Sequence, residues 1–326
     1  MATSVWFAGP RLVELRDEEL PALGPHDVRV EAVASGISHG SEMLVFRGQV
    51  PDGVDLDLPT LRGSFAFPIK YGYANVGRVV AVGGAVNALE PGQMVFVHHP
   101  HQTTYVVPAA SAVCLPDGLD PGSGVFLANV ETAVNIVMDA APRIGERVVV
   151  FGQGVVGLLI TQVLLRTGAA EIAVVDPIAR RRELALQFGA DAAFDVDELT
   201  SGADFDLAIE ASGSPSALDL ALNNVAFGAS VVVCSWYGTK SVTLALGGAF
   251  HRRRLRIVSS QVSTIDAALQ PRWTRERRLA VARDLLPRLE LNPLISHQIR
   301  FEQAAQAYRL VDEQPAETVQ VLLTYR

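Results

Sequence analysis

The chain has 326 residues, which at roughly 150 residues per domain predicts about two domains and excludes a peptide-sized module. Hydrophobic residues make up 49% and charged residues 19% of it, the balance of a well-buried globular protein and not of a disordered one. The formal net charge of −8 argues against general polyanion binding, so nucleic acid is not an expected partner, and two cysteines, Cys114 and Cys234, cannot build a disulfide framework or a four-cysteine zinc lobe.

The first residues lack a basic stretch followed by a long apolar run, so they do not read as a secretion signal. With the sparse cysteines, this gives the expectation of a cytoplasmic protein. Short strand-like runs follow at Asp27-Val-Arg-Val-Glu31, Val76-Gly-Arg-Val-Val-Ala-Val82 and Met94-Val-Phe-Val97. Turn signals at Gly24-Pro25, Asp52-Gly53 and Pro91-Gly92 separate them, which predicts a β-rich domain over residues 1–126. Its longest loop, about Arg47 to Pro68, has the length of a lid or recognition segment.

From 127 onward short buried strands alternate with helix-length stretches. The strands are expected at 148–151, 171–175, 207–210, 230–234 and 255–258, and the helices at 156–167, 178–188 and 214–226. This alternation predicts a doubly wound parallel sheet over 127–263. The uncharged run Val148 to Leu165 imitates a membrane span, but the turn residues of Gly152-Gln-Gly-Val-Val-Gly157 interrupt it, so no membrane partner is expected. Beyond 263 a helical pattern from Arg275 to Leu289 leads to the strand-like Thr318–Thr324. A final strand needs a sheet partner, so residues 264–326 are expected to return to the first domain.

Gly152-Gln-Gly-Val-Val-Gly157 stands between a strand and a helix, the context in which G-x-G-x-x-G reads as a dinucleotide fingerprint. Gly152 is expected to make the tight turn, Gly154 to let backbone approach a pyrophosphate, and Gly157 to pack helix on strand. Val155 and Val156 open the helix whose N-terminus faces the phosphates. Asp176 ends the next apolar strand, where a carboxylate accepts hydrogen bonds from an adenosine ribose and repels a 2′-phosphate. NAD is therefore expected over NADP, although Arg180, Arg181 and Arg182 follow at once and an arginine can accommodate that phosphate. Arg181 is expected to flank the adenine.

Further local patterns carry a family resemblance over essentially the whole chain. Ala34-Ser-Gly-Ile-Ser-His-Gly-Ser-Glu42, Ile69-Lys-Tyr-Gly-Tyr-Ala-Asn-Val-Gly77, Gly145-Glu-Arg-Val-Val-Val-Phe-Gly152 and Ile209-Glu-Ala-Ser-Gly213 resemble the cleft loops and nucleotide-domain strands of the medium-chain dehydrogenase/reductase superfamily. The resemblance implies an α/β protein, with a Rossmann-type doubly wound parallel sheet plus a β-rich GroES-like catalytic domain. It also implies a nicotinamide cofactor held with help from His39, Thr132, Ser212, Gly213 and Ser235, and a homodimer. Where zinc-dependent members carry cysteine, histidine and glutamate, this chain has Ser38, Tyr73 and Ala74, and the third ligand position falls on Ala128. No metal ligand is therefore expected and no zinc. Lys70-Tyr-Gly-Tyr73, Asn129-Val-Glu-Thr-Ala-Val-Asn135, Ser235-Trp-Tyr-Gly238 and Ser259-Ser-Gln-Val262 are similar to the bacteriochlorophyllide dehydrogenase-like branch, which implies oxidation of a secondary alcohol to a ketone.

Without a metal, a side chain must serve the substrate oxygen. Tyr73 is the first candidate, with Lys70 near in sequence to favour its phenolate. His101, from the cluster His98-His-Pro-His101, is the second, because an imidazole titrates near neutrality. Ser38 and Glu131 are expected to border the cleft, Glu131 with a structural alternative. A basic stretch from His251 to Arg278 could recognise an anionic small-molecule substrate, or be a solvated surface. Two other functions fit the same residues: an NAD(P)H-dependent enoyl or quinone reductase acting on a conjugated double bond, and an NAD(H)-binding protein without turnover.

Overall fold

A computed structural model describes residues 1–325 apart from Pro59, Thr200 and Ser201. The chain divides into two compact units, one made of Met1–Ala128 with Leu286–Arg326 and the other of Asn129–Leu285.

The first unit is β-rich. Its principal sheet runs in the order Ala112–Cys114, Met94–Val97, Asn75–Val82, Asp27–Ile37, Gln320–Thr324, Ile295–Arg300, with Thr104–Pro108 also paired to Asp27–Ile37. The strand Asp27–Ile37 shows why this works. Val28, Val30 and Ala32 are buried while Asp27, Arg29 and Glu31 are not, the period-two alternation of a half-buried strand. Its second half, Ala34–Ile37, is buried throughout. The reason is the C-terminal strand, which pairs antiparallel with it in the register Val321↔Ile37, Leu323↔Ser35. A separate hairpin, Ala2–Gly9 with Leu12–Glu18, is extended by Ile69–Lys70. Phe7 and Phe46 pack around Tyr308 of the helix Ala304–Glu313, with ring centroids 5.0 and 5.4 Å away. Each such fully buried ring contributes roughly 1.5–3 kcal/mol by leaving water. The loop around 47–68 is more structured than its sequence suggests. It carries the hairpin Asp55–Leu58 with Leu61–Ser64, with Pro59 outside the described residues, and its Leu56, Leu58, Leu61 and Phe65 pack on the same core as Tyr71 and Tyr73.

In the second unit six strands are all parallel, ordered Ala192–Phe194, Glu171–Val175, Arg147–Phe151, Phe205–Glu210, Val225–Val233, Arg256–Ser259. In chain order this is 3-2-1-4-5-6, the dinucleotide-binding arrangement, whose ligand crevice opens where the order reverses. The reversal lies between Arg147–Phe151 and Phe205–Glu210, so the loops beginning at Gly152 and Ala211 flank it. Val148, Val149 and Val150 have no exposed surface, as expected of a central strand covered on both faces. The uncharged run 148–165 is thus a strand followed by the helix Val155–Leu164. Among the described residues no helix is long and apolar enough to cross a membrane.

The domain limits differ from the sequence expectation of 1–126, 127–263 and 264–326. The first boundary falls after Ala128, and the return to the first unit starts at Leu286. Residues 264–285 stay with the nucleotide unit because Arg278 anchors them there. Its guanidinium donates to Glu131 at 2.9 and 3.1 Å, to Asn135 at 2.5 Å and to the backbone carbonyls of Val262 and Thr264, and its side chain is 1% exposed. Burial raises the Glu131 pKa, and the guanidinium opposes that rise.

Removing one partner of such a buried pair leaves the other charge uncompensated. Arg278→Ala is expected to cost about 3–5 kcal/mol of unfolding free energy in urea titration. A loss under about 1 kcal/mol, the range of an exposed pair, would show that water reaches Glu131.

Candidate active site

The nucleotide unit builds a candidate cofactor site from glycines and two buried carboxylates. Gly152 sits at φ +90°, and a Cβ there would lie 2.5 Å from Ser212 Cα, so only glycine lets these two loops meet. At Gly157 a Cβ would lie 1.9 Å from the Gly152 carbonyl oxygen, which is the close helix-on-strand packing anticipated for the third glycine. Gly154 faces open space and caps the helix without any side-chain bond, so its backbone can be approached by a ligand. Val155 is buried behind it and Val156 half-buried.

Asp176 is 2% exposed, and its two oxygens accept the backbone N–H groups of Gln153 (2.6 Å) and Ile178 (2.8 Å). It therefore shapes the glycine loop directly. Each carboxylate oxygen has a second acceptor site, so the group retains capacity for a ribose hydroxyl. Arg181 lies 3.9 Å from it and is largely buried, with burial lowering the guanidinium pKa. Arg182 is committed to the Asp176 carbonyl and to Asp195, and Arg180 is exposed. These residues fit a dinucleotide: an approachable helix N-terminus, a cradle open at Gly154, and a carboxylate at the end of the second strand.

The other carboxylate, Glu210, closes the strand Phe205–Glu210, on the far side of Arg147–Phe151 in the sheet. Its Oε1 accepts from the Ser212 N–H (2.7 Å), the Ser212 hydroxyl (2.6 Å) and the Gly213 N–H (3.1 Å), and its Oε2 from the Tyr237 hydroxyl (2.8 Å). The Gly213 N–H also reaches Ser235 Oγ at 2.8 Å. Ser212, Gly213 and Ser235 are thereby brought together by a residue that sequence reasoning passed over. Burial first, and the Glu210 charge next, raise Tyr237, which stays a phenol that donates. Thr132 stands half-buried on the helix Leu127–Ala140.

In the first unit the Tyr73 hydroxyl hydrogen-bonds Ser41 Oγ at 3.1 Å, with Ser38 in the same loop. Ser38, Ser41 and Tyr73 are only partly buried, while Tyr71 is 3% exposed. His39 is half-buried in the same loop. Desolvation is the largest influence on Tyr73 and raises its pKa; the serine hydrogen bonds oppose it and the Glu42 charge reinforces it. Tyr73 is thus a protonated donor at neutral pH, not a phenolate. Lys70 does not alter this, because its ammonium is held by Glu18 at 2.9 Å and by Gln102 at 3.2 Å.

The histidine cluster is internal. His99 stacks on Tyr105 with centroids 3.9 Å apart, and burial pushes its imidazole down to about 3, which excludes it as a proton carrier near neutrality. His101 has no exposed surface, and both ring nitrogens are taken: Nδ1 meets Ser35 Oγ at 2.7 Å and Nε2 meets Glu42 Oε1 at 2.8 Å. Its position suits holding Glu42, not meeting a substrate, so it is withdrawn as the second proton donor. Glu42, also without exposed surface, was visible only as the last letter of the first cleft motif. The apolar run Met43-Leu-Val-Phe46 behind it is the signal that would have marked it as a buried carboxylate.

Of the basic stretch, Arg278 is the anchor described above, Arg277 lies over the Trp273 ring at 4.0 Å, and Arg253 pairs with Asp204. Glu131 takes its structural alternative as the partner of Arg278.

A zinc-binding set does not fit the residues present. Ser38 and Tyr73 offer hydroxyls in place of the thiolate, imidazole or carboxylate that zinc takes, and Ala74 and Ala128 offer no donor side chain. Among the described residues no group of three or more His, Cys, Asp or Glu could hold a metal ion.

Two family models match the chain: the alcohol dehydrogenase GroES-like domain over residues 24–142, and zinc-binding dehydrogenase over residues 155–277. D-guloside 3-dehydrogenase of Escherichia coli is 27% identical, the alignment covering 97% of this chain and 98% of that protein. The 2-desacetyl-2-hydroxyethyl bacteriochlorophyllide A dehydrogenase of Rhodobacter capsulatus is 27% identical over 95% of this chain and 94% of that protein. A solved structure described as a zinc-binding dehydrogenase of Sinorhizobium meliloti 1021, bound to NADP, has a TM-score of 0.80 at 22% identity and covers 99% of both chains.

Proposed function

The chain belongs to the medium-chain dehydrogenase/reductase superfamily of NAD(P)-dependent enzymes, and from that premise we propose a zinc-independent, NAD(H)-dependent oxidoreductase that interconverts a secondary alcohol and a ketone. The observation that carries this reading is the Tyr73 hydroxyl, hydrogen-bonded to Ser41 at 3.1 Å, standing with Ser38 at positions where the resemblance puts zinc ligands. A ketone reduced to an alkoxide needs a hydrogen-bond donor at its oxygen, and Tyr73 is a phenol held protonated by burial. The nicotinamide, when bound, supplies or accepts the hydride. Gly152, Gly154, Gly157, Asp176, Ser212, Gly213 and Ser235 would hold that cofactor, and Ser41 orients the Tyr73 hydroxyl. The names of the relatives, one acting on a D-guloside and one on a hydroxyethyl group, favour an alcohol over a conjugated double bond.

NAD is the proposed cofactor because Asp176 is fixed at both oxygens and cannot turn away from a 2′-phosphate without losing two backbone hydrogen bonds. A homodimer is proposed from the outer strand Arg256–Ser259. All four of its residues are exposed, Ile257 and Val258 among them, and such an edge invites pairing with a second copy. The two free cysteines agree with a reducing, cytoplasmic location.

NADH should bind more tightly than NADPH by fluorescence titration, and Asp176→Ala should narrow the difference; a native preference for NADPH would move the phosphate site to Arg180 and Arg181. A panel of polyols, glycosides, hydroxyethyl compounds, ketones and enones with NAD(H) tests the reaction class. With whichever alcohol or ketone turns over, Tyr73→Phe should keep NADH affinity and lower kcat by roughly 10²–10⁴-fold, the range for losing a general acid. A nearly unchanged kcat would reduce Tyr73 to packing.

A further inference from the structure

Glu42 is a buried carboxylate of the first unit. It has no exposed surface, the next four residues, Met43 to Phe46, are all buried and apolar, and its bonding partners among the described residues include no lysine or arginine. A carboxylate in such a place is destabilising unless donors surround it, and an apolar residue of similar size would serve packing at least as well. Three donors do surround it, from three distant parts of the chain: the Ser38 N–H on Oε2 at 2.9 Å, His101 Nε2 on Oε1 at 2.8 Å, and the Tyr308 hydroxyl. Behind His101 the hydrogen bonds continue: the Tyr325 hydroxyl lies 2.8 Å from Ser35 Oγ, and Ser35 Oγ lies 2.7 Å from His101 Nδ1.

What this arrangement fixes is the loop of the reaction. By binding the Ser38 N–H, Glu42 closes residues 38–42 into a ring from which the Ser41 hydroxyl meets Tyr73. We infer that Glu42 is a positioning residue of the reaction, holding the Ser38–Ser41 loop in the geometry that aims the Tyr73 hydroxyl. The inference rests on the reading of Tyr73 as the proton donor. It assigns Glu42 no contact with substrate or cofactor.

The test uses the full-length chain labelled with ¹³Cζ-tyrosine, in which the Tyr73 resonance is the one lost in Tyr73→Phe. In Glu42→Gln that resonance should move while Tyr237, in the other unit, stays in place. NADH affinity should be kept, and kcat should fall about tenfold or more. The double variant with Tyr73→Phe should be no slower than Tyr73→Phe alone, since two residues acting through one group are not additive. An unmoved Tyr73 resonance, an unchanged kcat, or losses that multiply in the double variant would overturn the inference. If Glu42→Gln displaces Tyr237 as well and so fails to fold, Tyr308→Phe decides by the same readouts. It keeps the ring packed on Phe7 and Phe46 and removes one donor to the carboxylate. A Tyr73→Phe enzyme at the native rate would defeat the proton-donor reading itself. A full Tyr73→Phe loss beside an unaffected Glu42→Gln would defeat the role of Glu42 alone.

Discussion

The carboxylate of Glu42 has no water to fall back on, so the first unit must bring it hydrogen-bond donors. Those donors are Ser38, His101 and Tyr308, which lie far apart in sequence and meet only if the unit closes completely. Tyr308 belongs to the helix Ala304–Glu313 and Tyr325 follows the last strand. The C-terminal return is therefore more than a strand added to a sheet edge. It delivers a phenol to Glu42 and, through Tyr325 and Ser35, orients the imidazole that serves the same carboxylate. The apolar packing of Phe7, Phe46 and Tyr308 supplies the driving force, and the polar chain selects one arrangement among those that packing would tolerate.

The nucleotide unit solves a similar problem in the same way. At the ends of three of its parallel strands, loops turn sharply and present backbone N–H groups inside the fold. Asp176 takes those of Gln153 and Ile178, and Glu210 those of Ser212 and Gly213. Because the glycines at 152 and 157 let backbone approach backbone, these loops converge where the strand order reverses. A buried carboxylate thus organises each functional loop, in both units.

The nucleotide unit was the most legible in the sequence, since its signals are local. The strand bounds at 171–175 and the glycine loop follow from apolar runs and turn chemistry within a few residues. Contacts between distant residues were not legible. Arg278 read as one member of a basic surface because its partner Glu131 is 147 residues away, and the domain limit was misplaced for that reason. Lys70 was set beside Tyr73 by sequence proximity, whereas the strand Ile69–Lys70 turns it toward Glu18. His101 read as a proton donor to the substrate oxygen because nothing nearby in sequence announces Ser35 or Glu42 as its partners. Tyr73 and Ser38 were found through the resemblance, while Ser41, Tyr71 and Glu42 emerged only once the loop was folded.

In the proposed reaction, hydroxyl groups at Ser38 and Tyr73 take the place of the zinc for which the matching family model is named. The most direct measurement is elemental analysis of purified protein together with its turnover before and after treatment with a strong chelator. The account predicts far less than stoichiometric zinc in protein that turns over at full rate, and a rate indifferent to the chelator. Near-stoichiometric zinc, with activity lost on its removal and regained on its return, would contradict it.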